Sequence, residues 1–309
     1  MNTLSVNIHL MLASFYRPDG VSRCVLMEEK AFPSDVYAVA SHLRMRGIDP
    51  ADGILQARPR PGETTLRTED VLDLLERWGG EVALLFLGGV NYFSGQWYDL
   101  PRLTEAAHRA GALAGCDLAH AAGNVPLACM TPAWISPSGA RTSTGTPGPA
   151  RSGARSSTAA TRGIPESLGW PVSTPPLLSL APLRASLDLF DRAGMDALPR
   201  KAVALTAYLE ALLRAPPGAG LTVVTPAETG SRGCQLSLRV AAGAQALHTR
   251  LRAAGVMTDF REPDVVRLAP APLFNTFHEV WQAARAVGQA AAGAPAGPPP
   301  APPKGGTSK

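Results

Sequence analysis

The sequence predicts an α/β protein, with a larger domain on a parallel-rich sheet followed by a smaller C-terminal α/β domain. Three observations carry this. Residues 5–127 alternate between short apolar runs and amphipathic stretches, the pattern of parallel strands joined by crossover helices. Val82-Ala83-Leu84-Leu85-Phe86-Leu87 is apolar without a break, as a strand covered on both faces must be. After residue 215 the order becomes strand, strand, helix, strand, helix, which suits a second, smaller α/β domain. At 309 residues and 45% hydrophobic, the chain is long enough to bury two cores.

Each element has its own signal. Ser5 can N-cap a helix running through Ile8, Met11, Leu12 and Phe15. Val25-Leu26-Met27 reads as a short strand, and Ser34 to Arg46 as a helix. Thr68, followed by Glu69 and Asp70, opens a helix whose apolar face is Val71, Leu72, Leu74 and Leu75, with the acids favourably placed at the positive end of its dipole. Strand 82–87 ends in Gly88-Gly89; Leu103 to Ala112 is helical and Leu113 to Cys116 is strand. From about Ala128 to Thr161 the pattern stops, and Pro, Ser, Thr, Gly, Ala and Arg dominate. Order returns near Pro175, with helices over 183–193 and 198–214, strands near 221–224 and 235–240, a helix over 247–254, a strand at 265–268 and a closing helix over 274–287. The expected division is therefore 1–127 as part of the large domain, 128–170 as an aberrant low-complexity segment, 171–214 as the end of the large domain with connecting helices, 215–292 as the small domain, and 293–309 as a disordered Pro/Gly-rich tail.

Composition removes several function classes. The net charge of +4 comes from arginines scattered along the chain, without the dense cluster or interleaved aromatics that grip nucleic acid. Cys24, Cys116, Cys129 and Cys234 have no paired spacing and no histidine cluster beside them, so they read as reduced thiols, with no metal site. No run approaches the roughly 20 apolar residues that span a bilayer, and Ile8 to Phe15 lacks the cationic flank and cleavage site of a signal peptide. A cytoplasmic protein without a membrane partner is expected.

The most informative stretch is Cys116-Asp117-Leu118-Ala119-His120. Ligands of open α/β sheets bind at the carboxyl ends of the strands, and Asp117 lies at such an end. A carboxylate there can keep a pyridine nitrogen protonated, but it also suits the N-cap of a helix from Leu118, and spacing alone favours the cap. Ser5 at a helix start can offer its hydroxyl and nearby amides to a phosphate, or simply cap. Ala31-Phe32-Pro33-Ser34-Asp35 puts an aromatic ring on a strand-to-helix turn, where it can stack on a flat cofactor or merely open a helix. Arg267 precedes the Pro270/Pro272 turn and can clamp a carboxylate bidentately or form an ordinary surface ion pair. His9, His42, His108, His248 and His278 fall on helix patterns and read as surface or packing residues.

Taken together, the stretches Met1 to Leu10, Lys30-Ala31-Phe32-Pro33-Ser34-Asp35, Asp117-Leu118-Ala119-His120-Ala121-Ala122-Gly123-Asn124, Ser173-Thr174-Pro175-Pro176 and Val266 to Asn275 resemble the kynureninase family of pyridoxal 5'-phosphate enzymes. The resemblance covers most of residues 1–127 and 170–290. It implies the fold-type I, transferase-like architecture and a homodimer. It also implies that Leu4 and Ser5 bind the cofactor phosphate and that Phe32, Pro33, Ser34 and Asp35 line its ring. Asp117 would pair with the pyridine nitrogen, with His120 beside it; Thr174 would contact the cofactor across a dimer interface; and Arg267 would hold the substrate carboxylate. The family reaction is hydrolysis of kynurenine or 3-hydroxykynurenine to alanine and an anthranilate, a step of tryptophan degradation and NAD biosynthesis.

Two departures stand out. The family has an N-terminal part absent here, so Met1 reads as an internal methionine used as a start. The family's Schiff-base lysine, set in Tyr-Lys-Tyr after the strand-end aspartate, has no counterpart: the four lysines are Lys30, Lys201, Lys304 and Lys309. The codons behind 129–150 offer a reason. If each new codon takes the last base of one codon and the first two of the next, Met130-Thr131 and Trp134-Ile135 must each yield an aspartate, because Met and Trp have one codon apiece, both ending in G. The other overlaps permit His-Asp-x-Gly-Val-Asp-Phe-Ala-Val-Trp-Cys-Ser, and Arg141-Thr142-Ser143-Thr144 permits Tyr-Lys-Tyr. This is similar to the family's lysine segment, with the lysine codon spanning Thr142 and Ser143, and the frame returns before Ser173. The expectation is a kynureninase-family chain with a frame-slipped or mis-spliced centre, inactive and poorly folded as written. The alternatives are a cysteine-desulfurase-like lyase sharing the Asp-x-Ala-His pattern, which the Phe-Pro-Ser-Asp turn argues against, and a non-catalytic isoform that binds cofactor or pairs with an intact subunit.

Overall fold

A computed structural model describes residues 3–127, 177–214 and 220–292. The chain divides into two compact units, Met1–Arg200 with Pro226–Gly233, and Lys201–Thr225 with Cys234–Lys309. The sequence places a boundary at 215. In the structure the division falls at Lys201, inside the helix Ala197–Arg214, because Leu205 and Leu209 of that helix belong to the second core.

In the first unit, α1 (Leu4–Phe15) is followed by β1 (Cys24–Glu28), α2 (Pro33–Met45), the single turn α3 (Pro50–Gly53), β2 (Ile54–Ala57), α4 (Thr68–Trp78), β3 (Val82–Gly88), α5 (Leu100–Arg109) and β4 (Leu113–Asp117). The four strands form one parallel sheet in the order β2-β1-β3-β4. Both faces are covered, as the unbroken apolar strands require. On one side Leu26, Val82, Leu85 and Leu87 meet Val71 and Leu75 of α4 and Leu103 and Ala107 of α5. On the other, Val25, Met27, Ala83 and Phe86 meet Ile8 and Leu12 of α1 and Val39 and Leu43 of α2. Alternate residues of one strand thus feed two cores. Among the described residues β4 is the sheet's edge, and its residues Leu113 to Cys116 are only half-buried where β3 is fully covered. A long helix, α6 (Leu177–Ala193), also belongs to this unit.

The second unit runs from Lys201 of α7 (Ala197–Arg214) through β5 (Leu221–Val223), β6 (Leu236–Val240), α8 (Ala244–Ala253), β7 (Asp259–Arg261) and β8 (Val265–Leu268) to α9 (Phe277–Ala291). Its sheet is antiparallel, ordered β5-β6-β8-β7. Leu236, Leu238, Val266 and Leu268 pack with Leu205 and Leu209 of α7, Leu247 and Leu251 of α8, and Val280 and Val287 of α9. The sequence reading lacks β7, whose three residues are too few to show a period. The last helix begins at Phe277 rather than 274 because Thr276 forms a capping box with Glu279. No helix among the described residues is long and apolar enough to cross a membrane.

Candidate functional site at the sheet's switch point

In the order β2-β1-β3-β4 the chain runs from β1 to one neighbour and then crosses back to the other side, so the direction reverses between β1 and β3. A crevice outside the carboxyl ends of the strands at such a reversal is where open α/β sheets bind ligands. Here those ends carry Glu28, Gly88 and Asp117. A cleft of about 240 Å³, counting space open to solvent, is lined by Glu28, Phe32, Asp35, Gly88, Val90, Tyr92, Asp117 and His120. Four residues singled out from sequence, Phe32, Asp35, Asp117 and His120, therefore meet in one place.

Asp117 is buried and accepts the Ala119 N–H through Oδ1 at 2.8 Å. That bond is what a cap would make, yet no helix follows: residues 119–124 are turns, ending at Gly123 in the left-handed region with φ 75°. The carboxylate is thus left facing the cleft. Pro33 opens α2, and its fixed φ suits the first helical position. At the next residue, Ser34 Oγ donates to Asp35 Oδ1 at 3.2 Å. Asp35 is buried, and its carboxyl is pushed up by burial first, then by the charge of Asp117 and a hydrogen bond to it. Phe32 stands edge-on to Tyr92, with ring centroids 5.1 Å apart. Asn124 Nδ2 donates to the His120 carbonyl at 2.9 Å, holding the turn.

Three residues of this region escaped the sequence reading. Glu28 ends an apolar run as Asp117 does, but what it does there depends on Gly88, 60 residues on. Tyr92 lies in a loop and carries no periodic signal. Asn91 organises that loop: its Oδ1 accepts from Phe93 N, Ser94 N and Ser94 Oγ at 3.0, 2.9 and 3.1 Å, and its Nδ2 donates to the Lys30 carbonyl at 3.1 Å. The Asn-Tyr-Phe-Ser-Gly sequence, an Asx turn closed by a glycine, could have pointed to it.

The other expected residues lie elsewhere. Ser5 is not the cap of α1. Thr3 occupies that position without a side-chain cap bond, and Leu4 and Ser5 form the exposed first turn, whose amides precede the first helical bond from Asn7 N to Thr3 O. Those amides still suit an anion. Arg267, in the second unit, is not a surface residue: its side chain is 10% exposed and ion-paired with Asp259, its neighbour across β7 and β8. Asp259 Oδ2 also takes Arg261, at 3.0 Å. Thr174 and the segment 129–150 lie outside the described residues. His42 is buried against His9, and His248 Nδ1 lies 2.8 Å from Thr258 Oγ1, so these two are packing residues.

The donor set fits one end of a phosphorylated pyridine. Paired carboxyls face a cleft with no lysine or arginine among its lining residues, and an aromatic ring stands beside them. The aldehyde end is not provided for among the described residues. Lys30 places its ammonium over the Phe93 ring, 4.3 Å from the centroid, and Lys201 donates to the Pro272 carbonyl at 2.6 Å. No grouping of histidines, cysteines and acids among the described residues suits a metal.

Residues 198–287 match the kynureninase C-terminal domain. The chain is 46% identical to kynureninase from Salinispora tropica, covering 93% of this chain and 74% of that protein. It is 45% identical to the Myxococcus xanthus kynureninase, over 91% of this chain and 72% of the relative. Among solved structures, an apo cysteine desulfurase from Thermococcus onnurineus superposes with a TM-score of 0.67 at 13% identity, covering 94% of this chain and 78% of that one. A C-DES mutant with glycine covalently linked to its PLP cofactor gives 0.66 at 15% identity, covering 92% and 78%. These likenesses establish the fold-type I architecture, and the sequence relatives go further: the chain belongs to the kynureninase family, whose enzymes are PLP-dependent hydrolases of carbon–carbon bonds.

Proposed function

We propose that this cleft is the pyridoxal-phosphate site of a kynureninase and that the chain as written does not complete it. The observation that supports this reading is the convergence of Phe32, Asp35, Asp117 and His120 at the switch point of the sheet. Asp117 would hold the proton on the pyridine nitrogen, Asp35 would support it, and Phe32 would cover the ring. The first-turn amides of Leu4 and Ser5 would take the phosphate, while Thr174 would contact the cofactor in a homodimer. Arg267 would hold the α-carboxylate of kynurenine or 3-hydroxykynurenine, taking a planar anion bidentately in place of Asp259. When bound, pyridoxal phosphate supplies an electron sink for the carbanion character that develops as the Cβ–Cγ bond breaks. Alanine and an anthranilate are the products in a cytoplasmic pathway of tryptophan breakdown.

On this reading the chain lacks the lysine, whose codon would span Thr142 and Ser143 one base out of frame. Two proteins test this: the chain as written, and a version re-framed across codons 129–150. The re-framed protein should release anthranilate from kynurenine and retain cofactor after borohydride reduction; the chain as written should do neither. Hydrolysis by the chain as written, or cofactor trapped on it by borohydride, would refute the reading. Sequencing the transcript across codons 127–173 shows whether the slip is in the cell.

A further inference from the structure

The cleft holds more acid than one pyridinium needs. Glu28, Asp35 and Asp117 all line it. Glu28 is 5% exposed and closes β1, and its carboxylate accepts the Gly88 N–H at 3.1 Å through one oxygen and 3.4 Å through the other. Gly88 is the register partner of Asp117, and the next residue, Gly89, donates its N–H to the Asp117 carbonyl at 2.7 Å. Closeness requires a glycine at 89 and makes position 88 tight: a Cβ on Gly88 would stand 3.2 Å from Glu28 Oε1, and one on Gly89 would meet Leu118 and Ala121 at 2.7 and 2.8 Å. Glu28 thus fastens the end of β3, and the end of β3 fixes Asp117.

We propose that Glu28 is a positioning residue for the pyridinium end of the cofactor: it fixes Asp117 through Gly88, and as a third carboxyl in the cleft it makes occupancy of the site depend on pH. This rests on the cofactor reading above. The titratable groups around Glu28 are Asp35, Tyr92, Asp117 and His120 in the cleft, and Glu29, Lys30 and Tyr98, with which it lines a second cavity. Burial pushes the Glu28 carboxyl up to about 7, against the opposing hydrogen bonds from Gly88 and the Asn91 side chain, and Asp117 adds to the rise. Asp35 is raised as well, by burial first and then by Asp117, with Glu28 the least of its causes. A cation is held best by ionised carboxyls, so affinity for a pyridinium should climb as pH rises through this range. One linked proton corresponds to about tenfold in affinity per pH unit.

The test is binding of 4-deoxypyridoxine 5'-phosphate, which lacks the aldehyde and cannot react with Lys30 or Lys201, followed by tryptophan fluorescence between about pH 6 and 8. Its phosphate titrates identically for every variant and cancels in the comparison. Wild type should bind about tenfold or more tightly at the upper pH. Glu28→Gln keeps an acceptor for Gly88 and removes the third carboxyl, so its affinity near pH 6 should match or exceed wild type while the pH ratio falls at least about threefold below that of wild type, the remainder belonging to Asp35. Glu28→Ala should show the same flattened ratio with affinity at least tenfold lower than Glu28→Gln throughout. A wild-type pH ratio in Glu28→Gln overturns the electrostatic role, and equal affinity of the Ala and Gln variants overturns the positioning role. Failure of wild type to bind at any pH instead overturns the cofactor reading, and this proposal with it.

Discussion

Acid should loosen the first helix from the second. His9 on α1 and His42 on α2 meet with Nδ1 and Nε2 3.1 Å apart and ring centroids 5.2 Å apart. A bond between two imidazole nitrogens needs a proton on one and a lone pair on the other, so it is lost once both rings are fully protonated. Burial first, then His9 and Arg46, hold the His42 pKa below the ordinary histidine value. The unfolded chain therefore takes up this proton before the folded one does. This His42 contribution is complete above about pH 6.5, the ordinary histidine value, and is lost as pH falls below it. Two charges 5.2 Å apart repel by about 3 kcal/mol at an effective dielectric of 20. His9 is exposed, so solvent screening reduces this to about 1 kcal/mol. The lost hydrogen bond adds about 1 kcal/mol. The sum, about 2 kcal/mol, is roughly thirtyfold in the local opening equilibrium. Hydrogen exchange by mass spectrometry on peptides within Leu4–Phe15, corrected for intrinsic rates, would read this between about pH 8 and 5, with β3 peptides as the internal reference. His9→Gln keeps polar contact without taking a charge, so the part of the pH effect that comes from the pair should vanish in it, leaving the part set by burial of His42. An equal loss of α1 protection in wild type and His9→Gln would refute the reasoning.

Glu28→Gln should also show itself without ligand. The raised carboxyl stabilises the fold fully below its unfolded value of 4.5, and this is lost as pH rises through about 7; the difference is about 3 kcal/mol. Exchange protection of β1 should therefore fall with pH in wild type and stay nearly flat in the variant, and parallel slopes would count against it. Gly89→Ala should cost about 1–3 kcal/mol by crowding Leu118 and Ala121, measured as a lower urea midpoint together with weaker binding of 4-deoxypyridoxine 5'-phosphate. Leu251→Ala, at a fully buried position in the second unit, should cost about 2–5 kcal/mol and lower the protection of β6 and β8 while leaving β1 and β3 unchanged.

The parallel sheet was legible because strands covered on two faces must be continuously apolar, and Val82 to Leu87 has no other use. β2 was not legible: its four residues include Gln56 and run directly into Arg58-Pro59-Arg60-Pro61, which reads as a loop. Of the site, the strand-end aspartate and the aromatic turn could be found from sequence because each is set by its immediate neighbours. Glu28 was missed because its meaning depends on Gly88, 60 residues away. The cap of α1 went to Thr3 rather than Ser5, since a cap is set by where the backbone first turns helical, and two hydroxyl residues two positions apart give the same signal.

The half-covered strand β4 has a consequence outside chemistry. Its residues Leu113 to Cys116 are half-buried, whereas β3 beside it is covered, so less of the core holds this strand in the sheet. The β4 amides should therefore open and exchange with solvent ahead of those of β3.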